Sequence, residues 1–203
     1  LTKSFGWGSQ ETWVQHDVEE FCRVLMDNLQ MKMKGDPSLE NSIRELFEVK
    51  ARHAIRCVNV NYESIREEPL LDIQINVKNC HNLEESFKQY LEKEVMEGDN
   101  QYSTEKYGKQ DAVMCDEFLE FPPVLHLHLK RFIFDFDTMK MTKLNDYYEF
   151  PEQIDLTQFL ADDAPGRSKS NLYDLYGVLV HAGGILGGHY DAYLRTSTSK
   201  QWY

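Results

Sequence analysis

Cysteine is scarce in this chain and wrongly spaced for a metal. Its 203 residues include four, Cys22, Cys57, Cys80 and Cys115. No two form a CxxC pair, so no zinc finger can be read from them. There is no HExxH run or comparable ligand set either, which sets a metalloprotease aside. The chain carries no secretion signal and is too long for a small disulfide scaffold, so free thiols in a reducing, intracellular compartment are expected. No apolar run approaches the roughly 18 residues of a membrane-spanning helix. Basic side chains are in deficit: 22 Lys and Arg against 34 Asp and Glu leave a formal charge of −12. That argues against a general nucleic-acid grip, which needs clustered Lys and Arg. It suits a basic partner, although solubility alone would account for it equally well. An initiator Met is also missing, and the patterning starts and stops in mid-course at Leu1 and Tyr203, so a piece of something longer is expected.

What is present has the make-up of an ordinary soluble domain, with 41% apolar and 28% charged residues and enough chain for one sizeable core. There are no repeats and no low-complexity segment. Val14, Val18, Phe21, Leu25, Leu29 and Met33 recur three and four apart, which predicts a helix over Thr12–Lys34 with one apolar face. Ser9 is its expected N-cap, and Gly35 with Pro37 beyond is its stop. Further on, IRCVNVNY and PLLDIQINVK read as paired strands rich in β-branched residues. Asn82 and Glu85 have capping-box spacing, with Leu83, Phe87, Tyr90 and Leu91 following at helical intervals. GDNQYSTEKYGK is expected to be a polar turn region. FPPVLHLHLKRFIF alternates, with Leu125, Leu127 and Leu129 on one face and His126, His128 and Lys130 on the other. ADDAPGRSKSN reads as a loop, and YGVLVHA and HYDAYLR as two further strands. Helices first, then a mixed stretch, then strands gives an α+β fold.

Four glycines crowd His181 and His189 in HAGGILGGHYDAYL, residues 181–194. Glycine weakens a strand, so it marks a bulge, a tight turn or a close approach by another backbone. Gly187 and Gly188 are expected to leave open space beside the His189 imidazole, as a site that admits an extended backbone requires. A histidine base needs a nucleophile within hydrogen-bond reach and a third group to orient it. Without them a strand histidine is a packed or surface residue. His126 and His128 share a strand face and could hold a metal, but no carboxylate or cysteine accompanies them, and a half-exposed face is the favoured reading. In QHDVEEF, residues 15–21, about 100° per residue puts Asp17 roughly 60° from the apolar stripe and Glu20 about 60° further round. They are neighbours on one flank. Two such carboxylates can clamp an Arg of a partner through charge-assisted bonds; from spacing alone a solvated flank is the simpler account.

QHDVEEF, PPVLHLHLKRF, KLNDYYEFPEQIDL and LVHAGG…GGHYDAY occur in this order and at suitable separations. Together they resemble the ubiquitin-specific protease family of cysteine deubiquitinases over essentially the whole chain. GGHYDAY is similar to the family's histidine box and QHDVEEF to its glutamine-aspartate box. The LTKSFGW opening and the QHD form, in place of the commoner QQD, narrow the likeness to a branch that includes plant members. The resemblance implies a papain-like α+β fold of thumb, fingers and palm, incomplete at both ends. Thumb (second half), fingers and palm would fall at about 1–45, 46–118 and 119–203. It implies His189 as the general base for a cysteine that attacks the terminal glycine carbonyl of ubiquitin. Ubiquitin ends in Leu-Arg-Gly-Gly, which can thread a channel too narrow for side chains, and Gly187 and Gly188 would form its wall. Asp17 and Glu20 would hold the tail's Arg residues. Gln15, Phe132, Phe134, His181 and Tyr190 match positions that line the channel, with Lys143 at its edge.

Two departures from the family's pattern follow. The nucleophilic Cys and the oxyanion-hole Asn belong upstream of Leu1, and the third catalytic residue, Asp or Asn, just after QWY, so only His189 of the triad is expected here. Cys22, about 80° from the centre of the stripe, is no substitute. Paired finger cysteines that bind zinc in many relatives are also missing: Cys57 stands alone, and YSTEKYG occupies the place of a second pair. No metal and no cofactor are therefore expected. The implied parent is a thiol-dependent ubiquitin hydrolase, monomeric, in nucleus or cytoplasm, acting on ubiquitinated proteins without nucleic acid or membrane. The alternative is a catalytically inactive ubiquitin-binding module.

Overall fold

The computed structural model of the chain describes residues 17–196 and 201–203. Its first helix, α1 (Val18–Met33), is capped by Asp17, whose carboxylate accepts the Glu19 amide at 2.8 Å. A short acceptor at this position satisfies an amide that the helix leaves orphaned. Asp17 therefore stands at the mouth of the helix, as its N-cap. The expected Ser9 cap and residues Thr12 to His16 lie outside the described residues. The helix stops as expected, at a Lys34 C-cap followed by Gly35 with φ of +94°, a conformation that glycine adopts without steric cost. The apolar face is covered only in part, since no residue of α1 is fully buried.

After α2 (Ser42–Phe47) the chain builds an antiparallel sheet in the order β2–β1–β7–β4, from β1 (Val49–Cys57), β2 (Glu63–Leu70), β4 (Glu94–Met96) and β7 (Ala112–Glu120). The expected pairing of IRCVNVNY with PLLDIQINVK does not occur. The first run supplies only the end of β1, and β1 pairs with the charged segment ESIREEPL, which is β2. The second run breaks at Leu71 and Asp72. Its latter part is β3 (Ile73–Asn76), which pairs in parallel with β8 (Leu127–Lys130). β2 escapes the sequence reading because it is an edge strand with no buried face, and so has no alternation to detect. Charges along such an edge also discourage pairing with a foreign strand.

The β3–β8 pair ties the middle of the chain to its last third. Ile73 and Ile75 are fully buried, and Leu125, Leu127 and Leu129 pack on the same core, as their alternation predicts. Helix α3 (Leu83–Tyr90) contributes Phe87, stacked on Phe159 at 4.8 Å and edge-on to Phe118 at 6.1 Å. Its capping is as expected on one side: Asn82 accepts the Glu85 amide at 2.9 Å. The Glu85 carboxylate reaches one residue further back than the usual box, to the His81 amide at 2.7 Å.

The stretch expected to be a polar turn is more regular than that. β5 (Tyr102–Thr104) and β6 (Gly108–Gln110) form a hairpin, and the Thr104 hydroxyl donates to the Gly108 carbonyl and accepts the Tyr107 amide, both at 2.9 Å. Tyr62 lies against Tyr102 and Tyr107, with ring centroids 6.4 and 6.3 Å away. Three-residue strands amid Gly and Lys leave too short a pattern to read. All four cysteines are free thiols. His126 stacks on Phe47 at 5.0 Å, and burial pushes its pKa down. Among the described residues no helix is long and apolar enough to cross a membrane.

The last third continues through β9 (Phe132–Asp135), β10 (Lys140–Lys143), β11 (Gln153–Asp155) and β12 (Leu172–Asp174) to the hairpin β13 (Gly177–Gly184) and β14 (Gly187–Leu194). The strands run on through the glycines, leaving Ile185 and Leu186 as a two-residue turn. Each expected strand is thus longer than its apolar pattern.

Candidate functional site

The site is assembled on the β13–β14 hairpin. Its register sets His181 opposite Tyr190, Ala182 opposite His189 and Gly183 opposite Gly188. His189 projects into solvent with 81% of its side chain exposed, and its Nε2 lies 3.5 Å from the Asp191 carboxylate. That separation exceeds a firm hydrogen bond. Asp191 is two residues along the same strand and therefore on the same face. The period-2 pattern alone could have nominated it as a partner of His189, and the sequence reading missed it.

Gly183 and Gly188 are close-approach positions, whereas a Cβ on Gly184 would meet nothing within 4 Å. A Cβ on Gly188 would fall well inside 3.0 Å of the Ala182 carbonyl oxygen and of His181 Nε2, and 2.8 Å from His181 Cε1. The His181 imidazole lies over Gly188 and occupies the volume its side chain would need. Gly183, at φ +123°, would drive a Cβ to 2.6 Å from the Gly188 Cα and 2.7 Å from the Gly187 carbonyl. The close approach that glycine signals is thus between the two arms of the hairpin and with its own histidine. Gly187, at the end of the hairpin opposite Gly184, is exposed.

His181 is held from three sides. Its ring meets Phe132 at 5.4 Å and Tyr190 at 4.8 Å. Lys143, at the end of β10, donates to His181 Nδ1 at 3.0 Å, to the His181 carbonyl at 2.8 Å and to the Gly183 carbonyl at 2.9 Å. The Tyr190 hydroxyl in turn donates to Asp17 at 3.1 Å. Burial, and then the Asp17 carboxylate, push the Tyr190 phenol up from its ordinary pKa. The mouth of α1 is thereby joined to the hairpin, across 173 residues of sequence.

Of the other expected residues, Glu20 is exposed on α1. Phe134 is exposed and meets Phe136 edge-on at 5.2 Å, so the structure does not bring it against His181. Gln15 lies outside the described residues. Cys22 is half-buried, and burial, then Glu19, Asp72 and Asp17, raise its thiol pKa. A raised thiol carries less thiolate, the opposite of an activated nucleophile. It lines a cleft between α1 and the β3–β8 pair, together with Asp27, Asp72, Gln74, His126 and Lys130. Asp27 and Asp72 are acidic groups of this cleft that no motif indicated.

By fold, this is part of an α+β ubiquitin-specific protease catalytic domain. A solved structure of the SAGA Ubp8/Sgf11/Sus1/Sgf73 DUB module bound to ubiquitin aldehyde superposes with a TM-score of 0.77 at 25% identity, covering 94% of this chain and 44% of that one. The model of the ubiquitin carboxyl-terminal hydrolase family matches residues 1–203. The chain belongs to that family, as the ordered motifs implied. Among its relatives, ubiquitin carboxyl-terminal hydrolase 5 of Schizosaccharomyces pombe is 50% identical over 203 residues, which are all of this chain and 18% of that protein. Ubiquitin C-terminal hydrolase 12 of Arabidopsis thaliana is 48% identical over 207 residues, with the same coverage. Ubiquitin carboxyl-terminal hydrolase 7 of Drosophila melanogaster is 46% identical over 205. The chain thus spans less than a fifth of the length of these relatives.

Proposed function

We propose that the protein containing this chain is a thiol-dependent deubiquitinase that hydrolyses the isopeptide bond after the C-terminal glycine of ubiquitin. His189 is its general base, and its nucleophilic cysteine lies outside these residues. The observation that carries the reading is the Tyr190–Asp17 hydrogen bond, which draws the start of α1 to the strand bearing His189. His189 takes the proton of the thiol and the thiolate attacks the glycine carbonyl. The isopeptide C–N bond breaks as His189 returns that proton to the departing lysine amine, and water, deprotonated by His189, then hydrolyses the thioester and releases ubiquitin. Asp17, Glu20, Phe132, His181 and Tyr190 bound the tail channel. Residues 1–45, 46–118 and 119–203 are assigned to thumb, fingers and palm. The β2–β1–β7–β4 sheet supports this, since it falls almost wholly in the second segment. Ubiquitin and ubiquitinated proteins are the partners, in nucleus or cytoplasm.

Turnover of a ubiquitin–fluorophore conjugate by the full-length protein tests this. Activity should be abolished by thiol alkylation and unchanged by Cys22→Ala, because Cys22 is half-buried on α1, where burial raises its thiol pKa. Loss of turnover in Cys22→Ala with a normal Tm would relocate the nucleophile. Ubiquitin binding without turnover would favour the inactive module.

Asp17 separates cap from charge. Asp17→Asn keeps a capping oxygen and puts an amide that can donate to the Tyr190 oxygen in place of the acceptor, but it loses the charge-assisted grip on an Arg, worth about 1.5–3 kcal/mol. We expect ubiquitin affinity to fall about ten-fold or more with little change in Tm, whereas Asp17→Ala should lose about 1 kcal/mol of stability besides. Unchanged affinity of Asp17→Asn by calorimetry would leave Asp17 a helix cap only.

A further inference from the structure

The Lys143 ammonium has three protons and faces three acceptors, His181 Nδ1 at 3.0 Å and the carbonyls of His181 and Gly183 at 2.8 and 2.9 Å. No proton is left over for a ubiquitin tail, so an edge-of-channel contact is not what this side chain is built to make. Its geometry has two consequences. An ammonium only donates, so Nδ1 of His181 accepts and the ring proton sits on Nε2. The two carbonyls are two residues apart on β13 and point the same way, off the edge that faces away from β14. Among the described residues β13 pairs with β14 alone. Where a neighbouring strand would satisfy that edge, a single lysine from β10 does so.

We propose that Lys143 is a positioning residue for the hydrolysis inferred above. It ties the outer edge of β13 to β10 and fixes His181 as the Nε2–H tautomer over Gly188, and so sets the place of His189. The chain of contacts is short. His181 lies on Gly188, the residue before His189, and against Tyr190, the residue after it. Among the described residues His189 is largely exposed, with the Asp191 carboxylate of its own strand 3.5 Å away, so its position follows that of the hairpin. Releasing Lys143 frees both the imidazole and the strand edge.

The full-length protein, labelled with 15N at histidine, tests the first half without any disabling change. Long-range proton–nitrogen correlations, with His181 assigned through His181→Gln, should show a protonated Nε2 and an unprotonated, hydrogen-bonded Nδ1. Lys143→Met keeps an unbranched apolar side chain and should move the Nδ1 resonance to that of a nitrogen without a donor. With a ubiquitin–fluorophore conjugate, Lys143→Met should lower kcat by about ten-fold or more and leave KM within about three-fold, the signature of a lost transition-state geometry. A protonated Nδ1 in the unmodified protein overturns the proposal. So does a KM that rises at constant kcat, which would make Lys143 a tail contact, and so does a variant unchanged in both constants. A full-length protein that turns over no conjugate refutes the hydrolase reading instead, and the resonance assignment still decides whether Lys143 sets the tautomer.

Discussion

Replacing His189 by alanine in the full-length protein is expected to lower turnover of ubiquitin conjugates by about 10²–10⁴-fold, the usual worth of a general base. Ubiquitin affinity and Tm should change little. Among the described residues the side chain is 81% exposed, with the Asp191 carboxylate 3.5 Å away. Its removal opens no cavity and leaves no buried partner unsatisfied, so the kinetic loss cannot be a stability loss in disguise. Asp191→Ala separates a local orienting partner from one elsewhere. If Asp191 holds the imidazole, its loss lowers kcat with KM unmoved; if it leaves kcat intact, the orienting group lies outside the described residues. Near-normal turnover in His189→Ala would remove His189 from the base's role altogether.

What the sequence made legible depends on how far a signal reaches along the chain. Local signals did well. Alternation placed Leu125, Leu127 and Leu129 on the core, and capping-box spacing placed the start of α3 at Asn82. The helix stop at Gly35 is of the same kind. Periodicity failed where it was asked for a boundary. The 3.6-residue repeat fixes which face of α1 is apolar but not where its first turn begins, so Asp17 was read as a flank residue when it is the cap. A better signal was there: a short acidic side chain followed by Glu19 and Glu20 is what a helix N-terminus favours. Strand pairing failed for another reason. β1 chose the charged edge segment over an apolar run that the parallel pair with β8 needed more. Such competition between partners is settled by the whole fold, and neither strand's residues announce it.

The site divides in the same way. The histidine hairpin and its glycines were legible as a motif, and their register follows once the turn is known. That Tyr190 reaches Asp17, or that Lys143 closes an open strand edge, is tertiary information with no trace in local pattern. The glycines are the instructive case. In sequence, such glycines fit either a close approach or open space. The resemblance supplied a reason for open space, a channel for Gly-Gly. At Gly188 the structure fills that volume with His181, while Gly184 stays open.

That difference makes Gly188 the position where the two accounts part. If Gly188 only walled a channel, a β-branched side chain there would block the tail and leave the fold intact. The structure predicts something else, and predicts it already for alanine. A single Cβ collides with the Ala182 carbonyl and with the His181 ring. The carbonyl belongs to the hairpin backbone and the ring is pinned by Lys143, so neither yields cheaply. Overpacking of this kind costs about 1–3 kcal/mol. Its relief, by parting the strands or expelling His181, displaces the residue next in line, His189. A shift of about 1 Å at a reacting group can cost about 100-fold in rate. Gly188→Ala in the full-length protein should therefore lose Tm and turnover together. Gly184→Ala is the control, because its Cβ would meet nothing within 4 Å, and it should keep both. A Gly188→Ala protein with normal Tm and normal turnover would mean that His181 does not rest on Gly188. One with normal Tm and lost turnover would return the glycine to the wall of the channel.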